Sequence, residues 1–250
     1  MNEKGELIKN GRKMLKPDWR GYDFTQSDGS KGVKPLPLQK PFSPDDNFIE
    51  LIKFGETSCG NEPLPKIIAN RKSRRIYSGG YLTLEELSYL LWATQGLKTS
   101  DEEWGSAEKV VPSAGMVHCI ETYLFISRVE GVKKGLYRYL PKAQRIVEVN
   151  MSDDCAENLN NAMRNQLFDS AVVFLWAAMP YKMEWQYMEV SHKMIAIEAG
   201  HICQNLYLAA ESINCGCCAV AAYHQDEIDN LLGIDGEEEF VIYIGTVGKI

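Results

Sequence analysis

Arg71-Lys72-Ser73-Arg74-Arg75 places four cations and a hydroxyl in five consecutive residues of a chain whose net charge is −7. Like charges side by side repel, so a run this dense asks for a reason. Guanidinium forks, an ammonium and a hydroxyl donor together suit one compact anion, such as a phosphate. The alternative is a solvated basic turn ahead of an apolar anchor that begins at Ile76-Tyr77.

Other chemistries find less support. The seven cysteines have no framework spacing and read as free thiols in a reducing compartment. Cys215-Gly216-Cys217-Cys218 has no second pair to complete a zinc site, so it reads as a buried strand and no metal is expected. His118, His192, His201 and His224 are scattered and read as core or cap histidines. The chain has no His-Glu-x-x-His, no Gly-x-Ser-x-Gly, and no Gly-x-Gly-x-x-Gly after a strand. Gly245-Thr246-Val247-Gly248-Lys249-Ile250 lacks the glycine spacing of a P-loop. No side chain is singled out as an acid, base or nucleophile.

Composition bounds the partners. Apolar residues make up 45% and charged residues 24% of 250, the balance of a globular domain. An acidic chain does not suit non-specific nucleic-acid binding. The longest apolar run, Ala171 to Pro180, is far short of the roughly 20 residues that span a bilayer. The first residues lack the apolar core of a signal peptide, and the expected location is the cytoplasm.

Residues 1–62 are rich in Pro, Gly, Lys and Asp, and Lys34-Pro35-Leu36-Pro37-Leu38-Gln39-Lys40-Pro41 must be extended. This stretch reads as an extended arm wrapping a domain over 63–250. A short helix is expected over Leu64–Asn70. Thr83-Leu84-Glu85-Glu86 is a capping box that opens a helix closed by Gly96. Residues 98–111 are polar and read as a mobile loop. Strands are expected at Ile120–Val129, Leu136–Leu140, Ile146–Val149, Ala171–Ala178, Cys215–Tyr223 and Glu239–Val247. Helices are expected at Asp153–Phe168, Glu184–Ser212 and Asp226–Leu232. From Met194 to Ala210 the long helix is apolar or small on nearly every face, so it must be covered all round, by its own domain or by a second subunit. Helices and strands mix without βαβ alternation, which favours α+β.

Four segments over residues 65–250 resemble the FMN-dependent nitroreductase family, and within it the SagB-type dehydrogenase branch. They are Arg71-Lys72-Ser73-Arg74-Arg75-Ile76-Tyr77, Val111-Pro112-Ser113-Ala114-Gly115 with Glu121-Thr122-Tyr123-Leu124, Glu198-Ala199-Gly200-His201-Ile202-Cys203-Gln204-Asn205-Leu206, and Gly236-Glu237-Glu238-Glu239-Phe240 leading to Val247-Gly248. The resemblance implies a three-layer α-β-α sandwich with a mixed, largely antiparallel sheet. It also implies a homodimer built on the long helix, with FMN between the subunits. Arg71, Lys72, Ser73 and Arg75 would ring the phosphate, with Arg74 on a variable position. Pro112, Ser113, Ala114 and Gly115 would line the isoalloxazine from the partner. Gln166 would be a donor near the pyrimidine; read from the residue alone, it is a helix-end glutamine bonding backbone. Ala221 and Ala222 would offer backbone N–H groups to N5 and O4, and Lys249 would be a cation near the phosphate. The implied activity passes electrons from NAD(P)H through FMN to a small organic acceptor. The alternatives are an FMN-dependent dehydrogenase and a non-catalytic flavin-binding partner of a biosynthetic complex. Asn214-Cys215-Gly216 stands where the family often has Gly-Leu-Gly, and Tyr187-Met188 where azoline-oxidising members have Lys-Tyr. Azoline oxidation is therefore not expected.

Overall fold

The computed structural model of the chain describes residues 3–250. In chain order its elements begin with α1 (Glu3–Met14), β1 (Phe48–Glu50), α2 (Leu64–Asn70), α3 (Leu84–Gln95) and the hairpin β2 (Leu97–Asp101) and β3 (Ser106–Lys109). They continue with β4 (Ile120–Ile126), β5 (Gly135–Leu140), β6 (Arg145–Asn150), α4 (Cys155–Ala162), β7 (Val172–Ala178), α5 (Pro180–Tyr187), α6 (His192–Ser212), β8 (Cys215–Val220), α7 (Gln225–Leu232) and β9 (Phe240–Lys249).

Seven strands form one sheet in the order β1-β6-β5-β4-β7-β9-β8, and every neighbouring pair is antiparallel. Alternation along the central strands splits the core in two. Leu124, Ile126, Phe174 and Trp176 face α3 and α6 on one side. Tyr123, Phe125, Val173 and Leu175 face α4 and α7 on the other. The result is the three-layer α+β sandwich.

The capping box at Thr83 is formed in both directions, with Glu86 N–H on the Thr83 hydroxyl at 3.1 Å and Thr83 N–H on the Glu86 carboxylate at 2.9 Å. Four sequence expectations change. Residues 98–111 are a β-hairpin rather than a mobile loop. Asp101 Oδ1 accepts the N–H groups of Glu103 and Trp104, and Gly105 takes φ +59°, so the tight turn is built by residues suited to it. The helix expected over Glu184–Ser212 is two helices, broken at Met188, which takes φ +44°. Arm contacts hold α5 apart from α6: Trp185 Nε1 donates to the Val33 carbonyl at 2.9 Å, and Gly29 N–H to the Trp185 carbonyl at 3.0 Å. The helix expected to reach Phe168 ends at Ala162, because Arg164, Asn165, Phe168 and Asp169 all take positive φ.

Residues 3–62 are not extended throughout. Glu3–Met14 is helical, since the prolines begin only at Pro17. Beyond it the chain lies on the domain and is held by buried cations. Arg138 donates to the Lys40 and Pro41 carbonyls at 2.9 and 2.6 Å, and Lys182 to the Leu38 carbonyl at 3.1 Å.

α6 buries Ile195, Ala199, Ile202, Cys203 and Leu206. Its opposite face, Ala196, Ile197, Gly200, His201 and Gln204, is exposed in the single chain, with Ile197 at 47%.

Candidate functional site

Arg71 closes α2 by donating its N–H to the Ile67 carbonyl at 2.9 Å, and the next residues run along the outer edge of β8. Ser73 pairs with Cys217 as a parallel bridge, and Arg74 N–H donates to the Cys217 carbonyl at 2.9 Å. Tyr77 then anchors the segment, its hydroxyl 2.8 Å from Thr246 Oγ1 and its ring against Gly248, where a Cβ would sit 2.7 Å from the ring. The cations are thereby held on a sheet edge.

Their electrostatics differ. Arg74 forms a two-point ion pair with Glu211, and its charge is spent there. Among the described residues, Arg71, Lys72 and Arg75 have no acidic partner. Arg71 lies over the Tyr207 ring, 5.3 Å from its centroid, in cation–π contact. The Tyr207 hydroxyl accepts the Ala219 N–H at 2.8 Å and sits 2.9 Å from Ser73 Oγ. Three cations without a carboxylate beside a hydroxyl fit a doubly charged anion.

Pro112–Gly115 lies elsewhere on α6, against Met194, Ile197 and Glu198, with a cavity of about 310 Å³ between. Tyr207 and Glu198 are nine residues apart on one helix, about 13 Å along its axis. Within one chain the basic segment and Pro112–Gly115 therefore do not meet. Gly115 takes φ +59°, and a Cβ there would lie 2.7 Å from the Tyr187 hydroxyl, so only glycine fits. Gly115 and Tyr187 also line a cleft of about 480 Å³ walled by Phe24, Trp104 and Trp185.

Gln166 gives its amide hydrogens to the Met163 and Ala222 carbonyls at 2.9 and 2.8 Å. It presents an acceptor rather than the implied donor, because the turn after α4 needs those bonds. Ala221 and Ala222 are exposed just beyond β8. Lys249 is ion-paired to Glu86, while its carbonyl accepts the Ser78 N–H at 2.8 Å. Its backbone thus adjoins the basic segment, and its charge is engaged with α3.

Beneath Pro112–Gly115 lies a buried polar cluster that the motifs did not single out. Lys182 and Glu121 pair at 3.1 Å, 4% and 5% exposed. Burial would raise the Glu121 carboxyl, but Lys182, Lys109 and Arg138 more than offset it and hold it below the usual range. Lys109 donates to Gln95 Oε1 at 2.9 Å, and burial pushes its ammonium down to about 8. Glu198 accepts the Ser113 hydroxyl at 2.5 Å, and burial raises its pKa. His118 is pushed down to about 3 by burial and by Lys109. The signal was present in the sequence: Glu121 interrupts an apolar strand and Glu198 an apolar helix, and a charge in such a place needs partners.

His118 gives a pH prediction. Its folded pKa lies below the unfolded value near 6.5, so between about 6.5 and about 3 the unfolded chain binds the extra proton. That part of the stability is fully present above 6.5 and is lost, at about 1.4 kcal/mol per pH unit, as pH falls. The raised Glu198 carboxyl acts in the opposite sense, so the comparison is with a variant. Urea titrations from pH 7 to 4 should show a shallower acid decline in His118→Gln than in the parent. Parallel curves would remove His118 as the cause.

The chain matches the Nitroreductase family model over residues 68–249. It belongs to the nitroreductase family. A Methanocaldococcus jannaschii protein named as a nitroreductase is 32% identical over 188 residues, 74% of this chain and 90% of that one. A crystal structure from Anabaena variabilis, solved under a nitroreductase name, is 27% identical with TM-score 0.68. It covers 84% of this chain, which spans only 43% of that one. A structure from Ralstonia eutropha, likewise named, has TM-score 0.66 and 24% identity over 87% of this chain and 95% of its own, a likeness of fold. The family match starts inside α2 and takes in the basic segment, Pro112–Gly115 and β9, leaving the arm outside it.

Proposed function

We propose that this nitroreductase-family protein is an FMN-dependent oxidoreductase, built as a homodimer, that passes electrons from NAD(P)H to a small organic acceptor. The observation that carries the reading is the trio Arg71, Lys72 and Arg75, left without carboxylates beside the Ser73 hydroxyl. Held there, FMN would supply two-electron chemistry between the nicotinamide and the acceptor. Arg71, Lys72, Ser73 and Arg75 neutralise and orient the phosphate. The Ala221 and Ala222 backbone and Gln166 border the end of β8, while Lys249 pairs with Cys215 at its start. Pro112, Ser113, Ala114 and Gly115 offer a small flat wall, and the separation along α6 is why that wall comes from the partner. The exposed α6 stripe around Ile197 and Gly200 is then the dimer contact. The 310 Å³ cavity lined by Ser113 holds the acceptor, and the aromatic cleft beside Gly115 adjoins the same wall.

The resemblance of Pro112–Gly115 and Glu198–Leu206 to the SagB-type branch supports a second reading, substrate dehydrogenation with FMN as oxidant. Tyr187-Met188 stands where the azoline-oxidising members carry their Lys-Tyr pair, which argues against azolines as the substrate.

One experiment tests cofactor, state and activity. Light scattering with absorbance detection should show a dimer of this chain carrying flavin bands, bleached by NADH or NADPH. A monomer that keeps its flavin would remove the dimer. A chain that takes up no FMN would remove the oxidoreductase reading. Flavin that stays oxidised with both nicotinamides would favour dehydrogenation or a non-catalytic role.

A further inference from the structure

Glu198 sits behind the proposed isoalloxazine wall and is 1% exposed. Its Oε2 accepts the Ser113 hydroxyl at 2.5 Å and the Cys119 thiol at 3.8 Å. Its Oε1 has no partner, nor has Nδ1 of His118, which is 3% exposed and 3.8 Å away. The His118 ring meets the Ala107 backbone carbonyl through its other nitrogen, so Nδ1 carries a lone pair. An ionised carboxylate with a bare buried oxygen facing a lone pair is strongly disfavoured. A neutral acid eases the conflict, because the bare oxygen then carries no charge and the proton can lie on Oε2, in the 2.5 Å contact with Ser113. The cations facing it are Lys109 of β3, shared with Glu121 of β4, and Lys182 of α5. They lower the cost of releasing a proton, while burial raises the carboxyl's pKa.

The path outward is short. Ser113 and Glu198 both line the 310 Å³ cavity. Ser113 Oγ also accepts the His118 backbone N–H at 3.0 Å, which holds the hydroxyl in place while its proton changes direction. Resting on the function proposed above, we propose that Glu198 is the proton donor for the acceptor, acting through Ser113. A quinone-type acceptor takes a hydride equivalent, two electrons and one proton, from reduced FMN, and needs one more proton to become the neutral hydroquinone. The Ser113 O–H bond breaks toward the acceptor while the Glu198 O–H bond breaks toward Ser113. The carboxylate left behind regains a proton from water. Ser113 is not a nucleophile here: its neighbour is an acid, and the histidine lies beyond that acid.

The test uses the FMN-loaded protein and the apo protein, with Glu198→Gln and Ser113→Ala. Glutamine keeps the shape and an acceptor for Ser113 but has no proton to release. In the apo parent, infrared difference against Glu198→Gln at pH 7 should show a protonated-carboxyl C=O band that shifts in heavy water. Ser113→Ala should keep that band. In stopped flow, re-oxidation of the reduced protein by 1,4-benzoquinone should slow by about 10²- to 10⁴-fold in Glu198→Gln, the range of general-acid effects. Ser113→Ala should also re-oxidise more slowly, and both variants should lose the solvent isotope effect. Reduction of Glu198→Gln by NADH or NADPH should slow far less than its re-oxidation. Parental re-oxidation in Glu198→Gln, or no carboxyl band, overturns the inference while the oxidoreductase reading stands. A parent that binds no FMN overturns both. If Glu198→Gln does not fold, Ser113→Ala decides: parental re-oxidation in that variant overturns the relay.

Discussion

Arg71→Ala and Arg75→Ala should each weaken FMN binding ten- to a hundredfold. A charge-assisted bond from arginine to phosphate contributes roughly 1.5–3 kcal/mol, and 1.4 kcal/mol is about tenfold in affinity. Both guanidinium groups stand without a carboxylate, so neither has an ion pair to give up when the anion arrives. Arg74 is the control inside the same segment. Glu211 already holds it at two points, the pair being 17% and 11% exposed. Arg74→Ala should leave FMN binding within about threefold and instead lower stability, because it strands a largely buried carboxylate. FMN titration of the three apo variants, with a urea melt of each, reads both effects. If affinity falls for Arg74→Ala and holds for the other two, the phosphate assignment is wrong.

Lys182→Met should destabilise the fold by about 3–5 kcal/mol, the usual cost of stranding one member of a buried ion pair. Glu121 would lose the cation 3.1 Å away, and the Leu38 carbonyl would lose its donor. At 250 residues each kcal/mol moves the melting temperature by about 2–4 °C, so a fall on the order of 10 °C is expected. The arm should become easier to cleave, since the same ammonium holds both the carboxylate and the arm. Replacing both charges, in Lys182→Met with Glu121→Leu, should recover much of the loss, because no buried charge is then left alone. A parental melt for Lys182→Met would show that the pair does not bear on stability. A double variant as unstable as the single one would place the cost in packing.

The elements that were legible in the sequence carry their own local signals. The capping box at Thr83 and the apolar runs of β4 and β7 say where chain begins, ends and is buried, and the α+β sandwich follows from their order. The basic segment stood out because charge density survives any fold. What stayed hidden depends on partners distant in sequence. The break at Met188 follows from an arm more than 150 residues earlier that bonds Trp185. The hairpin at 97–109 is mostly polar and lacks the apolar alternation that announces a strand, although Asp101 and Gly105 marked its turn. The difference between Arg74 and its neighbours is set by Glu211, at the far end of α6, and no spacing rule reports it. Glu198 was visible as a polar break, but its proton depends on Ser113, His118 and Lys109 meeting around it.

The bridge between Ser73 and Cys217 has a consequence for assembly. β8 is the last strand of the sheet, and a free last strand is a template on which a second chain can add itself. Here that template is occupied by the segment that displays the cations, and the opposite border, β1, is only three residues long. The segment is thus a lid on the sheet as well as the carrier of the cations. Like charges along the lid repel an identical lid on another molecule. Insertions or deletions within 71–75 would shift both functions at once, and their first symptom would be precipitation rather than a slower enzyme.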